Sequence, residues 1–233
     1  EDNKDGGVIY FDTEAAVTKQ MMEDRGIDTK RVVISEPASI EEFRTNATRI
    51  LTTYIDQGKD APPMMMVLDS LGMLSSNKEL ADTEAGTDKR DMTKAQLLRG
   101  TFRVLSLKLA KANVPLLVTN HVYDVVGAYI PTKEISGGSG LKYAASSIAM
   151  LGKKKDKDGT DVIGNIIKVT MHKSRFTKEQ KKVEVKLSYD SGLDRYYGLL
   201  DLAEKYGIIK KVSTRYELPD GRKVFGKAIN QNP

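Results

Sequence analysis

Three short runs in this chain end in side chains that could do chemistry on a phosphate. The first is Phe11-Asp12-Thr13-Glu14, which puts two carboxylates where a strand becomes a helix. Acids also collect in first helical turns simply because the dipole favours them there. The second, Met64-Met65-Met66-Val67-Leu68-Asp69-Ser70, stays apolar until it closes on an aspartate and a serine. That is the form of the acidic strand of nucleotide hydrolases, whose carboxylate orients hydrated magnesium beside the phosphates. Any buried parallel strand can also end in an Asp turn. The three methionines are core filler, not ligands. The third run, Val114 to Thr119, leads into Asn120-His121. Polar groups at this end of a central strand can reach a γ-phosphate, and the plainer reading is a histidine hydrogen-bonded within its loop. Two histidines and no cysteine leave a His- or Cys-based metal site short of ligands. Farther on, Lys173 and Arg175 are one residue apart, so on a strand both would face one anion or, as readily, the solvent.

Chemistry of this kind needs a scaffold that brings strand ends together. Short β-rich runs alternate with long amphipathic stretches through the first 150 residues, the pattern of repeated βαβ units around a parallel sheet. Strands are predicted at Val8 to Phe11, Arg31 to Ser35, Met64 to Asp69, Val114 to Thr119 and Ile148 to Gly152, with three helices between them. The second helix opens with Ser39 and Glu42 at capping-box spacing, and the third carries Leu98, Phe102, Leu105 and Leu109 on one face. Longer strands follow at Lys153 to Gly159, Val162 to Met171 and Lys181 to Tyr189, an antiparallel edge. A last helix is predicted over Tyr196 to Tyr206, stopped by Gly207, before a hairpin turning at Pro219-Asp220-Gly221. These boundaries divide the chain into a core over residues 1–190 and an appended helix and hairpin over 191–233. Ser70 to Asp91 and His121 to Gly138 fit no element. Both follow core strands and should emerge at the carboxyl edge of the sheet, where open α/β proteins bind ligands.

The 233 residues are 39% hydrophobic and 30% charged, ordinary for a globular protein, and the absence of cysteine excludes disulfides. No apolar run nears the roughly 20 residues that cross a bilayer, and Glu1 to Gly7 are polar, so the expectation is a cytoplasmic protein without a membrane partner. A net charge of +5 suits a polyanionic partner and equally a lysine-rich solvated surface. With no tryptophan and 6% aromatic residues, contacts to nucleic acid would run through backbone, lysine and arginine rather than stacking.

Taken in order, Phe11-Asp12-Thr13-Glu14, Met66-Val67-Leu68-Asp69-Ser70, Val118-Thr119-Asn120-His121, Gly137-Gly138-Ser139-Gly140-Leu141-Lys142-Tyr143 and His172-Lys173-Ser174-Arg175 resemble successive motifs of the RecA family. The Asn-His pair and the Lys-Ser-Arg triplet are similar to its UvsX-type branch from T-even bacteriophages. The tail, Tyr197-Gly198-Leu199-Leu200-Asp201 and the Pro219 hairpin, extends the likeness over nearly the whole chain.

The resemblance implies a RecA-like P-loop ATPase core, a mainly parallel sheet flanked by helices, with antiparallel edge strands. It implies a DNA-dependent ATPase and strand-exchange recombinase that uses ATP and Mg2+ and self-associates into a helical filament on single-stranded DNA, with double-stranded DNA as second partner. By the same resemblance Glu14 is the general base, Asp69 orients magnesium through water beside Ser70, and Asn120 and Thr18 lie at the nucleotide. His121 senses the γ-phosphate, while Lys173 and Arg175 reach a phosphate on the neighbouring subunit. The two unassigned segments become DNA loops, with Lys89, Arg90, Lys94, Arg99, Lys133, Gly137 and Gly138 as candidate contacts. Lys153 to Lys155 with Lys157 reads as a solvated turn. Alternatives are a hexameric helicase on the same core and a non-hydrolysing DNA-binding paralogue.

A glycine-rich loop with lysine and a hydroxyl residue is the phosphate cradle of this class. The near match Gly221 to Ala228 is rejected: alanine replaces the hydroxyl, no helix is expected after it, and it sits in a hairpin. The expectation is therefore a fragment lacking its amino-terminal phosphate-loop unit, and inactive alone as an ATPase.

Overall fold

The first four apolar runs pair in parallel in the computed structural model, which describes residues 5–87, 92–124 and 133–231. Two compact units emerge, Glu1–Ala145 and Ser146–Pro233. The residue 190/191 boundary expected from sequence lies inside the second.

In the first unit the order is β1 (Gly7–Asp12), α1 (Lys19–Glu23), β2 (Val32–Ser35), α2 (Ile40–Asp56), β3 (Met64–Asp69), α3 (Asn77–Glu84), α4 (Lys94–Ala112), β4 (Leu116–Val118), β5 (Val122–Asp124), β6 (Lys133–Ile135) and α5 (Ser139–Ala144). The sheet order β2-β1-β3-β4 is the product of βα crossovers. In register, Phe11 faces Leu68 and Asp12 faces Asp69, while Leu68 faces Val118, so three strands end nearly level. Phe11, Met66 and Leu68 meet Ile40, Phe43, Leu51, Leu98, Phe102 and Leu105 in one core. Phe11 and Phe43 are edge to face, with centroids 5.0 Å apart. Such a fully buried aromatic is worth about 3–5 kcal/mol against alanine.

The helix starts follow the sequence. Ser39 caps α2 by accepting the Glu42 N–H at 3.1 Å, and the Glu42 carboxylate takes the N–H of Ala38 at 2.9 Å. Leu98, Phe102 and Leu105 are buried, with Leu109 packed at the margin. The two unassigned segments do hold structure. A 3-10 turn, Leu71–Met73, and the capping box of Ser76 with Glu79 at the start of α3 fill the first. A small antiparallel hairpin, β5 with β6, begins the second.

The second unit comprises β7 (Ser147–Asp158), β8 (Asp161–Ser174), β9 (Lys182–Ser188), β10 (Gly192–Leu193), α6 (Leu199–Lys205), β11 (Lys210–Val212), β12 (Arg215–Glu217), β13 (Lys223–Phe225) and α7 (Gly226–Gln231). Ile148 to Gly152 is not a fifth parallel strand. It is the first half of β7, which turns through Gly159, at φ +61°, into antiparallel pairing with β8. A two-residue turn permits only that direction. Lys153, Lys154, Lys155 and Lys157 are exposed as expected, yet they stand on β7 rather than in a turn. The last helix is shorter than predicted because Gly198 takes a left-handed conformation at its start. A short helix, α7, does follow Gly221 to Phe225, correcting one of the three grounds for rejecting that run. Ala228 and the hairpin position remain.

Candidate active site

Asp12 shapes the end of β1. Nearly buried, its Oδ1 accepts the N–H groups of Glu14 at 3.0 Å and Ala15 at 2.9 Å, with Ala15 at φ +52°. This side-chain turn stops the strand and sends Glu14 off its end. Thr13 ties the turn to β3. Its N–H donates to the Asp69 carbonyl at 2.8 Å, its hydroxyl donates to the Ser70 carbonyl at 2.7 Å, and that hydroxyl accepts the Ser70 N–H at 2.8 Å.

Beyond that junction three side chains meet. The Ser70 hydroxyl, on a residue only 2% exposed, donates to Glu14 Oε1 at 2.6 Å. His121 Nε2 lies 3.3 Å from the same Glu14 oxygen and 3.4 Å from Ser70 Oγ. Glu14 is thus held from two sides while part of it faces solvent. The Asp69–Ser70 peptide beside it is cis. Asp69 is held separately: Tyr10 donates to Oδ2 at 2.7 Å and Thr119 to Oδ1 at 2.5 Å. The Tyr10 phenol is raised above its ordinary value by burial, then by its hydrogen bond to Asp69 and the charges of Asp69, Asp12 and Glu14. Each Asp69 oxygen therefore accepts one hydroxyl.

The strand ends are linked to the hairpin. Asn120 Oδ1 accepts the His121 N–H at 2.9 Å, and Asn120 Nδ2 donates to the Ser136 carbonyl at 2.7 Å. The Ser136 N–H closes the ring on the His121 carbonyl at 3.0 Å.

The RecA N-terminal domain family matches residues 1–194. The chain belongs to the RecA family. This RecA-family chain is similar to a recombination and repair protein of Enterobacteria phage T4, at 31% identity over 207 residues, covering 89% of this chain and 52% of that protein. To the RecA protein of Chloroherpeton thalassium it is 32% identical over 214 residues, with 91% and 57% covered. The chain spans little more than half the length of these curated relatives. A crystal structure of the RadB recombinase superposes with a TM-score of 0.54 at 22% identity, covering 80% of this chain and 77% of that one, which shows the shared fold. Family and phage relative are those to which the motifs pointed.

Of the residues singled out from sequence, Glu14, Asp69, Ser70, Asn120 and His121 come together at the carboxyl edge of the parallel sheet. Thr18 instead caps α1, its hydroxyl accepting the Met21 N–H at 3.2 Å. Lys94 pairs with Glu79 at 3.1 Å, and Lys133 is exposed opposite Asp124 in the hairpin. Gly137 and Gly138 adopt φ of +90° and +76°, and Arg99 lies on α4 where Gly140 packs against it. Lys89 and Arg90 lie outside the described residues. Lys173 is near the end of β8, in the second unit, and Arg175 lies just past that strand with its N–H on the Ser146 carbonyl at 3.0 Å.

Sequence reasoning missed Tyr10, Thr13 and Thr119. The hydroxyls of Tyr10 and Thr119 carried a signal, since each lies within two positions of a singled-out residue at or just past a strand. Their target could not be read without the register of β1 on β3.

Proposed function

We propose that this chain is part of an ATP-dependent DNA strand-exchange recombinase that assembles on single-stranded DNA. The observation that carries the proposal is the meeting of Glu14, Ser70 and His121 beside Asp69 at the carboxyl edge of a parallel sheet. The family names support recombination as the setting, and the net charge of +5 suits a polyanion.

Among the described residues no cluster of three or more His, Asp or Glu side chains can hold a metal ion. Magnesium keeps most of its water and needs one or two carboxylates plus substrate phosphates. Asp69 would orient that hydrated ion, and ATP with magnesium supplies the phosphoryl group to be transferred. Glu14 would take the proton from the attacking water, its Oε1 held meanwhile by the Ser70 hydroxyl. His121 passes the state of the site to the hairpin through its own backbone and Asn120, both bonded to Ser136. Lys94, Arg99, Lys133 and the Gly137-Gly138 backbone would meet the phosphodiester chain. No helix among the described residues is long and apolar enough to cross a membrane.

The test is fluorescence anisotropy of labelled oligonucleotides across a salt series. Single strands should bind with affinity that falls linearly in log salt, shows little sequence preference, and weakens when Lys94, Arg99 and Lys133 are changed together to alanine. Salt-insensitive or sharply sequence-selective binding would overturn the reading.

A further inference from the structure

Gly72 lies in the 3-10 turn Leu71–Met73, and no positive φ explains why a glycine stands there. Space does. A Cβ added at Gly72 would fall 2.7 Å from Cδ2 of the His121 ring and 3.4 Å from the Asn120 side-chain oxygen. The first distance is well inside van der Waals contact, so one side must give. The turn cannot: Leu71 and Leu74 on either side of it are 2% and 1% exposed in the core, and the Leu71 N–H is bonded to the Thr119 carbonyl at 3.0 Å. The ring can, because about half of the His121 side chain faces solvent.

We propose that Gly72 is a positioning residue for His121: its missing side chain is the seat that lets the imidazole lie against Glu14 and Ser70. A methyl group at this position turns the ring outward, separating its Nε2 from both partners, and leaves the turn and the sheet intact. Gly72 thereby decides whether the residue after β4 can touch the carboxylate after β1. The value of that contact for catalysis rests on the function proposed above; the contact itself does not, and it is what the experiment reads.

The chain carrying His172→Gln has His121 as its single histidine. Its ring resonances are recorded by NMR with and without Glu14→Gln, and the pair of spectra is repeated in Gly72→Ala. Neither DNA nor nucleotide is added, so failure of the recombinase reading leaves this measurement untouched. The expected result is that Glu14→Gln displaces the His121 resonances when Gly72 is present and that this displacement disappears in Gly72→Ala. Equal displacement in both backgrounds, or none in either, overturns the proposal. Should Gly72→Ala prevent folding, the double variant Gly72→Ala/His121→Ala decides: recovery of a dispersed spectrum supports a clash with the ring, and continued unfolding overturns it.

Discussion

A phenol bonded to a carboxylate inside a sheet edge makes Tyr10 a sensitive reporter of the site. Because its folded value is raised, the stability it contributes is fully present below the ordinary value of 10.0 and is lost as pH rises above that toward the folded value. Denaturant unfolding followed from pH 8 upward should therefore show a loss in the parent that is smaller in Tyr10→Phe. The same substitution should cost roughly 1.5–3 kcal/mol at neutral pH, the range for a hydrogen bond to a charged group. An unchanged pH profile in the variant would remove Tyr10 from this role. That Glu14, Asp69, Ser70, Asn120 and His121 would meet at one sheet edge was legible in the sequence, because each stands at the end of an apolar run. Which oxygen meets which donor was not, since Tyr10 reaches Asp69 across two strands whose register no single run contains. The cap that the Thr18 hydroxyl places on α1 was likewise not read from the sequence.

Among the elements, β8 and β9 depend on one residue without a side chain. A Cβ at Gly164 would lie inside contact distance of the Leu187 carbonyl oxygen and 3.1 Å from Ser188 Cα, both backbone atoms of the paired strand. Gly164→Ala should destabilise the second unit by on the order of 1–3 kcal/mol and speed amide exchange in β9, while leaving the amides of β1 and β3 as they were. Uniform loss of protection across both units would refute so local an effect. The parallel strands were read closely from their apolar runs, and α2 and α4 from cap and periodicity. Ile148 to Gly152 was misplaced because an apolar strand does not announce its partner; the direction came from the turn at Gly159, beyond the run. The segments 70–91 and 121–138 hid a short capped helix and two paired strands of three residues each, all too brief for periodicity to show.

At the scale of the whole molecule, Lys173 and Arg175, proposed to reach a neighbour's phosphate, lie in the second unit, and Glu14 and Asp69 lie in the first. Joined to a phosphate-loop unit, Lys173→Ala/Arg175→Ala and Glu14→Gln proteins should each lose ATP turnover by orders of magnitude and regain part of it when mixed. No recovery in filaments shown to be mixed would end the assignment between subunits. Charge is also a property of the whole, but the net +5 does not say which cations a polyanion meets. Burial opposes ionisation of Glu79, yet the hydrogen bond from Lys94 and its charge outweigh it and hold the carboxyl below its ordinary value. Glu79 thus behaves as a resident counterion, occupying the ammonium that a DNA phosphate would need. Binding there is an exchange of one anion for another, which releases no salt ion from Lys94. Glu79→Gln should strengthen binding to single strands and steepen the log–log salt slope by about 0.7, the value of one additional phosphate contact on a single strand.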